Sequence, residues 1–276
     1  MPVNLLLVEG NLDANILGAI LKGTPPVEAR GSKYSLKPIA VQEWKRTGQR
    51  VAFVRDRDFD FDPAPNQDHM PGEIRDGRFP EPLGWYWSRH EIENYLLDPA
   101  LIALIWPSGA RQDYEAALIE AALRIRFYEA ARWTIGMARR TLPPHYELKT
   151  RPIELEGREL GIPSWLNQIQ CGEWALGCIA EYMNRVSESL SPHTSACSLE
   201  SKIAEFTEDF CANWENILVW FSGKDILYAL GPALNRIYGV DAGRFRERIR
   251  DWIISNPESA LDVLPEWKVL VNFLRQ

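Results

Sequence analysis

The chain has 276 residues, 46% of them hydrophobic and 25% charged, and a net charge of −7. That is enough apolar material for one large domain or two modest ones, and the acidic balance argues against a broad, nonspecific nucleic-acid coat without excluding a site built from carboxylates. No apolar run approaches the ~18 residues of a membrane span, and the opening MPVNLLLVEG turns acidic too early for a signal peptide, so a cytoplasmic protein is expected.

Residues 4–8 are continuously apolar, as in a strand buried on both faces. Glu9 and Gly10 follow, and Gly10 is expected to let the backbone turn tightly. A helix is expected from about 12 to 22, with Ile16, Leu17, Ile20 and Leu21 on one face and GTPP as its stop. A second, short strand is expected near 39–41. Residues 51–54 form another buried strand, with Asp56 and Asp58 just past its end. Strand, helix, strand at the start of the chain indicates an α/β core. Residues 62–84 are rich in Pro, Gly and Asp and read as a long exposed loop. Residues 85–87 suit a strand and 91–97 a helix start. Beyond Pro99 helical patterns dominate, at about 113–140, 165–190, 198–220, 224–238, 243–255 and 266–275. The organisation expected is an α/β part over 1–100 and a helical part over 101–276.

The cysteines Cys171, Cys178, Cys197 and Cys211 form no C-x-x-C pair, which argues against a zinc ribbon. Buried free thiols are the expectation. His193 and Cys197 at loop spacing are weak evidence for a metal, and His69, His90 and His145 are given no ligand role. Most of the 11 tryptophans are expected in the core or at interfaces.

Three acidic stretches come from three places: Glu9-Gly10-x-x-Asp13, Asp56-x-Asp58 and Glu91-x-Glu93. The first two each follow an apolar strand, and ligands in open α/β sheets bind at the carboxyl ends of strands. Glu9 and Asp56 converge there if their strands are parallel and adjacent. Asp56 and Asp58, two apart in an extended chain, point to one side. They are expected to hold one cation, and Asp13 and Glu93 a second. Hard oxygen ligands suit Mg²⁺ or Mn²⁺, and two such ions stabilise the attacking and leaving oxygens of a phosphodiester displacement. Each stretch alone has an ordinary reading, as a helix start favoured by the dipole or a solvated turn. The three in this order, two of them at strand ends, favour a site.

LLLVEGNLDANIL followed by VAFVRDRDFD resembles the TOPRIM fold of topoisomerases, primases and nucleases. HEIENYLL resembles the nuclease domains of the OLD (overcoming lysogenization defect) group and its stand-alone relatives, some of which are effectors of ATPase-linked phage-defence systems such as PARIS. WFSGKDILYAL at 220–230 resembles the Gly-Lys segment of the same group. The resemblance covers about the first 100 residues well, and between 100 and 220 only a helical pattern is recognised. It implies a TOPRIM-like α/β core with a mainly parallel sheet flanked by helices, plus a large helical region in the C-terminal part. Residues near 220–230 would return to the catalytic core. It implies Glu9, Asp56 and Asp58 as metal ligands and catalytic groups, Asp13 and Glu93 at a second ion, Glu91 as a weaker candidate, and Lys224 at the scissile phosphate.

The implied activity is metal-dependent cleavage of DNA or RNA, tRNA included, in antiviral defence. The chain lacks a G-x-x-x-x-G-K-[ST] loop, so the implied ATPase of ABC type is a separate partner. A homodimer is left open. Arg139, Arg140, Lys149 and Arg151 flank a Pro-containing turn and are the better nucleic-acid candidates, while Arg124, Arg126, Arg132, Arg244, Arg246, Arg248 and Arg250 read mostly as solvated helix faces. The alternative is a degenerate TOPRIM protein serving as a non-catalytic binding or regulatory subunit. A haloacid-dehalogenase-like phosphatase would not explain EGNLD or HEIENYLL.

Overall fold

A computed structural model describes residues 1–64, 70–108, 111–140, 152, 155, 160–185 and 199–275. Strands are β1 (Leu5–Val8), β2 (Val27–Ala29), β3 (Val51–Arg55), β4 (Gly72–Ile74) and β5 (Gly84–Tyr86). The helices, in chain order, begin with α1 (Asn11–Ile20), α2 (Lys33–Thr47), α3 (Ile92–Leu96), α4 (Pro99–Ile105), α5 (Arg111–Arg140) and α6 (Gln168–Arg185). They continue with α7 (Leu199–Glu205), α8 (Glu208–Cys211), α9 (Trp214–Trp220), α10 (Gly223–Tyr238), α11 (Ala242–Ser255), α12 (Pro257–Val263) and α13 (Pro265–Arg275). The fold is α/β with a large helical region in the C-terminal part, as expected. No helix among the described residues is long and apolar enough to cross a membrane.

The chain divides into two compact units. One comprises residues 1–57, 63–111 and 240–276, the other 58–62 and 112–239. The units therefore alternate along the chain, where composition suggested one division near residue 100, and residues 220–230 lie in the second. The last helices join the first unit because α11 buries Phe245, Ile249 and Ile253, one helical face at i, i+4, i+8, and packs along α1.

The sheet of the first unit has the order β2-β1-β3-β5-β4. β1 runs parallel to both β2 and β3, β3 runs parallel to β5, and β4 closes the edge antiparallel. The apolar runs of β1 and β3 are buried, as strands covered on both faces must be. Gly84 is required where β5 meets β3, because a Cβ there would stand 2.6 Å from the Phe53 carbonyl oxygen. One side of the sheet packs Leu7 and Phe53 against Leu36, Ala40 and Trp44 of α2.

That contact corrects the strand expected near 39–41. Those residues are helical, because Leu36, Ala40 and Trp44 recur at four-residue spacing and bury one face of α2. The true second strand is the three-residue β2. The helix expected over 198–220 is three helices. Thr207 accepts from Phe210 N–H and starts α8, and Asn213 accepts from Glu215 N–H and starts α9, each cap ending the pattern before it.

In the second unit, Tyr128, Ala131 and Ile135 of α5 pack with Cys171, Ala175 and Tyr182 of α6. The short segment 58–62 belongs to this unit. Phe59 meets Trp133 edge to face at 5.1 Å, over a stretch of α5 where Gly136 leaves room for its ring. Arg139 pairs with Asp60 and Arg140 with Asp62, each at 2.8 Å. These two arginines, expected to meet nucleic acid, fasten the acidic segment to α5. Lys149 and Arg151 lie outside the described residues, as do His69, His145, His193 and Cys197. The remaining thiols are free, and burial pushes Cys171 up to about 12 and Cys211 up to about 11.

Candidate metal centre

The first unit brings the ends of β1, β3 and β5 side by side, since β1 pairs with β3 and β3 with β5 in parallel. The residues that follow those strands therefore emerge at one edge. Glu9 leaves β1, Asp56 leaves β3, and Glu91 stands five residues past the end of β5. The Asp56 N–H donates to Glu9 Oε1 at 3.0 Å, which joins the first two strand ends directly.

Glu91 is the N-cap of α3. Its carboxylate accepts from the N–H of Asn94, and the Glu91 N–H donates to Asn94 Oδ1 at 3.0 Å, a reciprocal capping box. Asp56 Oδ1 accepts from the N–H of Ile92, also at 3.0 Å. Asp56 and Glu91 thus meet at the start of α3.

Asp58 completes the group. Carboxylate oxygens of Asp56, Asp58 and Glu91 lie within 4.8 Å of one another. Asp56 and Asp58 were expected to share a side through extended backbone, but Asp58 has φ 48°, in the left-handed region. Asp is among the few non-glycine residues that tolerate it. The turn brings Asp58 alongside Asp56, and Arg57 between them sends its Nε to the Ser88 carbonyl at 3.1 Å.

The donor set suits a hard cation. Ligand oxygens at about 2.1 Å from one Mg²⁺ lie at most about 4.2 Å apart, so small side-chain rotations close the 4.8 Å spread. At that separation two full carboxylate charges repel by roughly 3–4 kcal/mol for an effective dielectric constant near 20. A divalent ion reverses the sign of that interaction, and protonation removes it.

No family model and no curated protein matches the chain.

The structure distributes the other expected residues differently. Glu9 is beside the group, bound to Asp56 N–H. Asp13 is buried in the first turn of α1. Gly10 is the N-cap of α1 with φ −131° and ψ 173°, an extended geometry open to any residue, so no tight turn requires glycine. A Cβ on Gly10 would stand 3.4 Å from Asp13 Oδ2, so the missing side chain leaves space beside that carboxylate. Glu93 is buried on α3 and pairs with Arg246 of α11 at 3.6 Å. Glu91, ranked below Glu93 on sequence, is the member of the acidic group. Lys224 is half-buried in the first turn of α10 in the second unit, after the Ser222 N-cap.

Sequence reasoning missed two supports. Arg246 was read as one of a series of solvated arginines, and nothing in its spacing separates it from Arg244 or Arg248. Glu266 of α13 is buried, and accepts from Ser88 N–H at 2.7 Å and from the hydroxyls of Ser88 and Tyr95. Burial raises its pKa from the usual glutamate value, against the pull of those hydrogen bonds. It fastens the segment between β5 and α3 that carries Glu91. A glutamate 178 residues from Ser88 gives no local signal of that partner.

Proposed function

We propose that the protein is a metal-dependent nuclease of TOPRIM type, resembling the OLD group, that hydrolyses phosphodiester bonds in DNA or RNA. The observation that carries this reading is the convergence of Asp56, Asp58 and Glu91 within 4.8 Å, beside Glu9, where the parallel strands β1, β3 and β5 end. Asp56, Asp58 and Glu91 would hold Mg²⁺ or Mn²⁺. A bound divalent ion supplies Lewis-acid polarisation of a phosphoryl oxygen and a water of lowered pKa.

The chain's own residues do the positioning. Glu9 fixes the Asp56 backbone through its N–H. Ile92 N–H orients the Asp56 carboxylate, and the capping box orients Glu91. Such outer contacts set the geometry of an ion's ligands. A role for Lys224 at the scissile phosphate, a cytoplasmic setting, an ATPase partner of ABC type and a place in phage defence belong to the same proposal and rest on the resemblance.

The competing reading is a degenerate, non-catalytic subunit. Its support is that the same carboxylates already serve structure, as acceptors for Asp56, Ile92 and Asn94 N–H groups. Incubation of plasmid and tRNA with Mg²⁺ or Mn²⁺ tests the nuclease reading. Cleavage that is lost in Asp56→Ala supports it, and cleavage that persists in both Asp56→Ala and Glu91→Ala contradicts it.

A further inference from the structure

The resemblance implies two ions, with Asp13 and Glu93 at the second. The structure gives Glu93 a different partner. Its side chain is 3% exposed, and Arg246 Nη1 lies 3.6 Å from its Oε1. A carboxylate so far out of water requires a compensating charge, and the guanidinium, which stays protonated at any physiological pH, supplies one. We propose that Arg246 takes the place of the second cation, so that the centre holds a single divalent ion with a fixed arginine beside it. This rests on the reading of Asp56, Asp58 and Glu91 as the ion's ligands.

Three features support the assignment. Glu93 stands two residues after Glu91, in the first turn of the helix that Glu91 caps, so the pair with Arg246 is made from the same helix start that carries a member of the acidic group. Its position is set by packing: α11 lies against both α1, which carries Asp13, and α3, which carries Glu93. Phe245 is buried next to Arg246 in α11 and stacks on Trp106 at 5.0 Å, which fixes the helix at that turn. A second divalent ion on Glu93 would stand next to the guanidinium and be repelled by it. Glu93 is thus engaged by Arg246, while the oxygens that gather within 4.8 Å are those of Asp56, Asp58 and Glu91.

Arg246 is on this account a positioning residue, which holds one fixed positive charge next to the ion site. A guanidinium also presents the planar fork that matches phosphate oxygens, the chemistry a nucleic-acid backbone would meet there.

The test counts ions. Protein stripped with EDTA is titrated with Mn²⁺ while free Mn²⁺ is read by electron paramagnetic resonance. One ion per chain is expected, with Glu93→Gln also binding one and its affinity within about threefold of the parent, well short of the tenfold change that marks a lost ligand. Two ions per chain, or a Glu93→Gln protein that loses one, overturns the inference and leaves the metal-centre reading standing. No ion in the parent protein overturns the metal-centre reading itself.

A second arm tests the ion pair without metal. Arg246→Gln should lower the thermal midpoint, and adding Glu93→Gln to it should recover much of the loss, because the stranded carboxylate is then removed. Equal losses in the double and single variants would show that Arg246 does not compensate Glu93.

Discussion

The backbone N–H of Asp56 donates to Glu9 Oε1 at 3.0 Å, tying together the ends of two adjacent parallel strands. The acid that ends β1 is thereby a structural acceptor for a member of the acidic group, and on the proposed reading Glu9→Ala should act on both the fold and the ion site. Loss of the acceptor should lower unfolding stability in urea by about 1–3 kcal/mol, with weaker Mn²⁺ binding. A stability equal to the parent would show that this hydrogen bond does not hold the strand ends.

Asp58 carries a positive φ of 48° and stands within 4.8 Å of two other carboxylates. The left-handed backbone works against the metal-free fold. Asp58→Gly should therefore be at least as stable as the parent in EDTA, by up to about 1–2 kcal/mol from relief of the left-handed backbone, and should bind Mn²⁺ more weakly. Denaturation with and without Mn²⁺ checks this, since the parent should gain more stability from the ion than the variant does.

Glu266 supports the Glu91 segment from a distance. Glu266→Ala strands Ser88 N–H and the Tyr95 hydroxyl and should cost about 2–4 kcal/mol. Near-ultraviolet circular dichroism should also change, because Tyr95 lies 5.2 Å from Trp87 and 5.5 Å from Trp267. An unchanged melt would remove Glu266 from the account of the site.

The second unit has its own pH signature. Glu129 is fully buried against Asp225 and Arg132. Desolvation first raises its pKa well above the ordinary 4.5; Arg132 opposes this, and the Asp225 carboxylate adds to it. The folded chain therefore keeps a proton that the unfolded chain releases above its own lower pKa. Stability should fall as pH rises beyond about 4.5. Glu129→Gln, which carries a permanent donor for Asp225, should flatten that fall and raise the melting temperature more at pH 8 than at pH 5. A parallel pH dependence in both proteins would contradict the assignment.

What the sequence disclosed follows the range of the interactions. β1, α1 and β3 were legible because their burial is written in contiguous residues: Leu6, Leu7 and Val8, then Ile16, Leu17 and Ile20, then Val51 to Val54. The convergence of Glu9 and Asp56 followed from two strands of parallel type. The segment containing Ile39 and Val41 misled, since three apolar residues after a proline suit a strand as well as a helix. Only the longer spacing of Leu36, Ala40 and Trp44 separates the two. The grouping of Glu91, rather than Glu93, with Asp56 and Asp58 was harder to read for another reason. Glu91 is placed by the α3 capping box with Asn94, whereas the partner of Glu93 is Arg246, more than 150 residues away in the chain, which leaves no local trace.

The metal centre is tested most directly by calorimetric titration of the EDTA-treated protein with Mn²⁺, in the parent and in Asp56→Asn and Glu91→Gln. The account predicts saturable binding in the parent and at least a tenfold loss, about 1.4 kcal/mol, in each variant. No binding in the parent, or equal binding in all three, would contradict it.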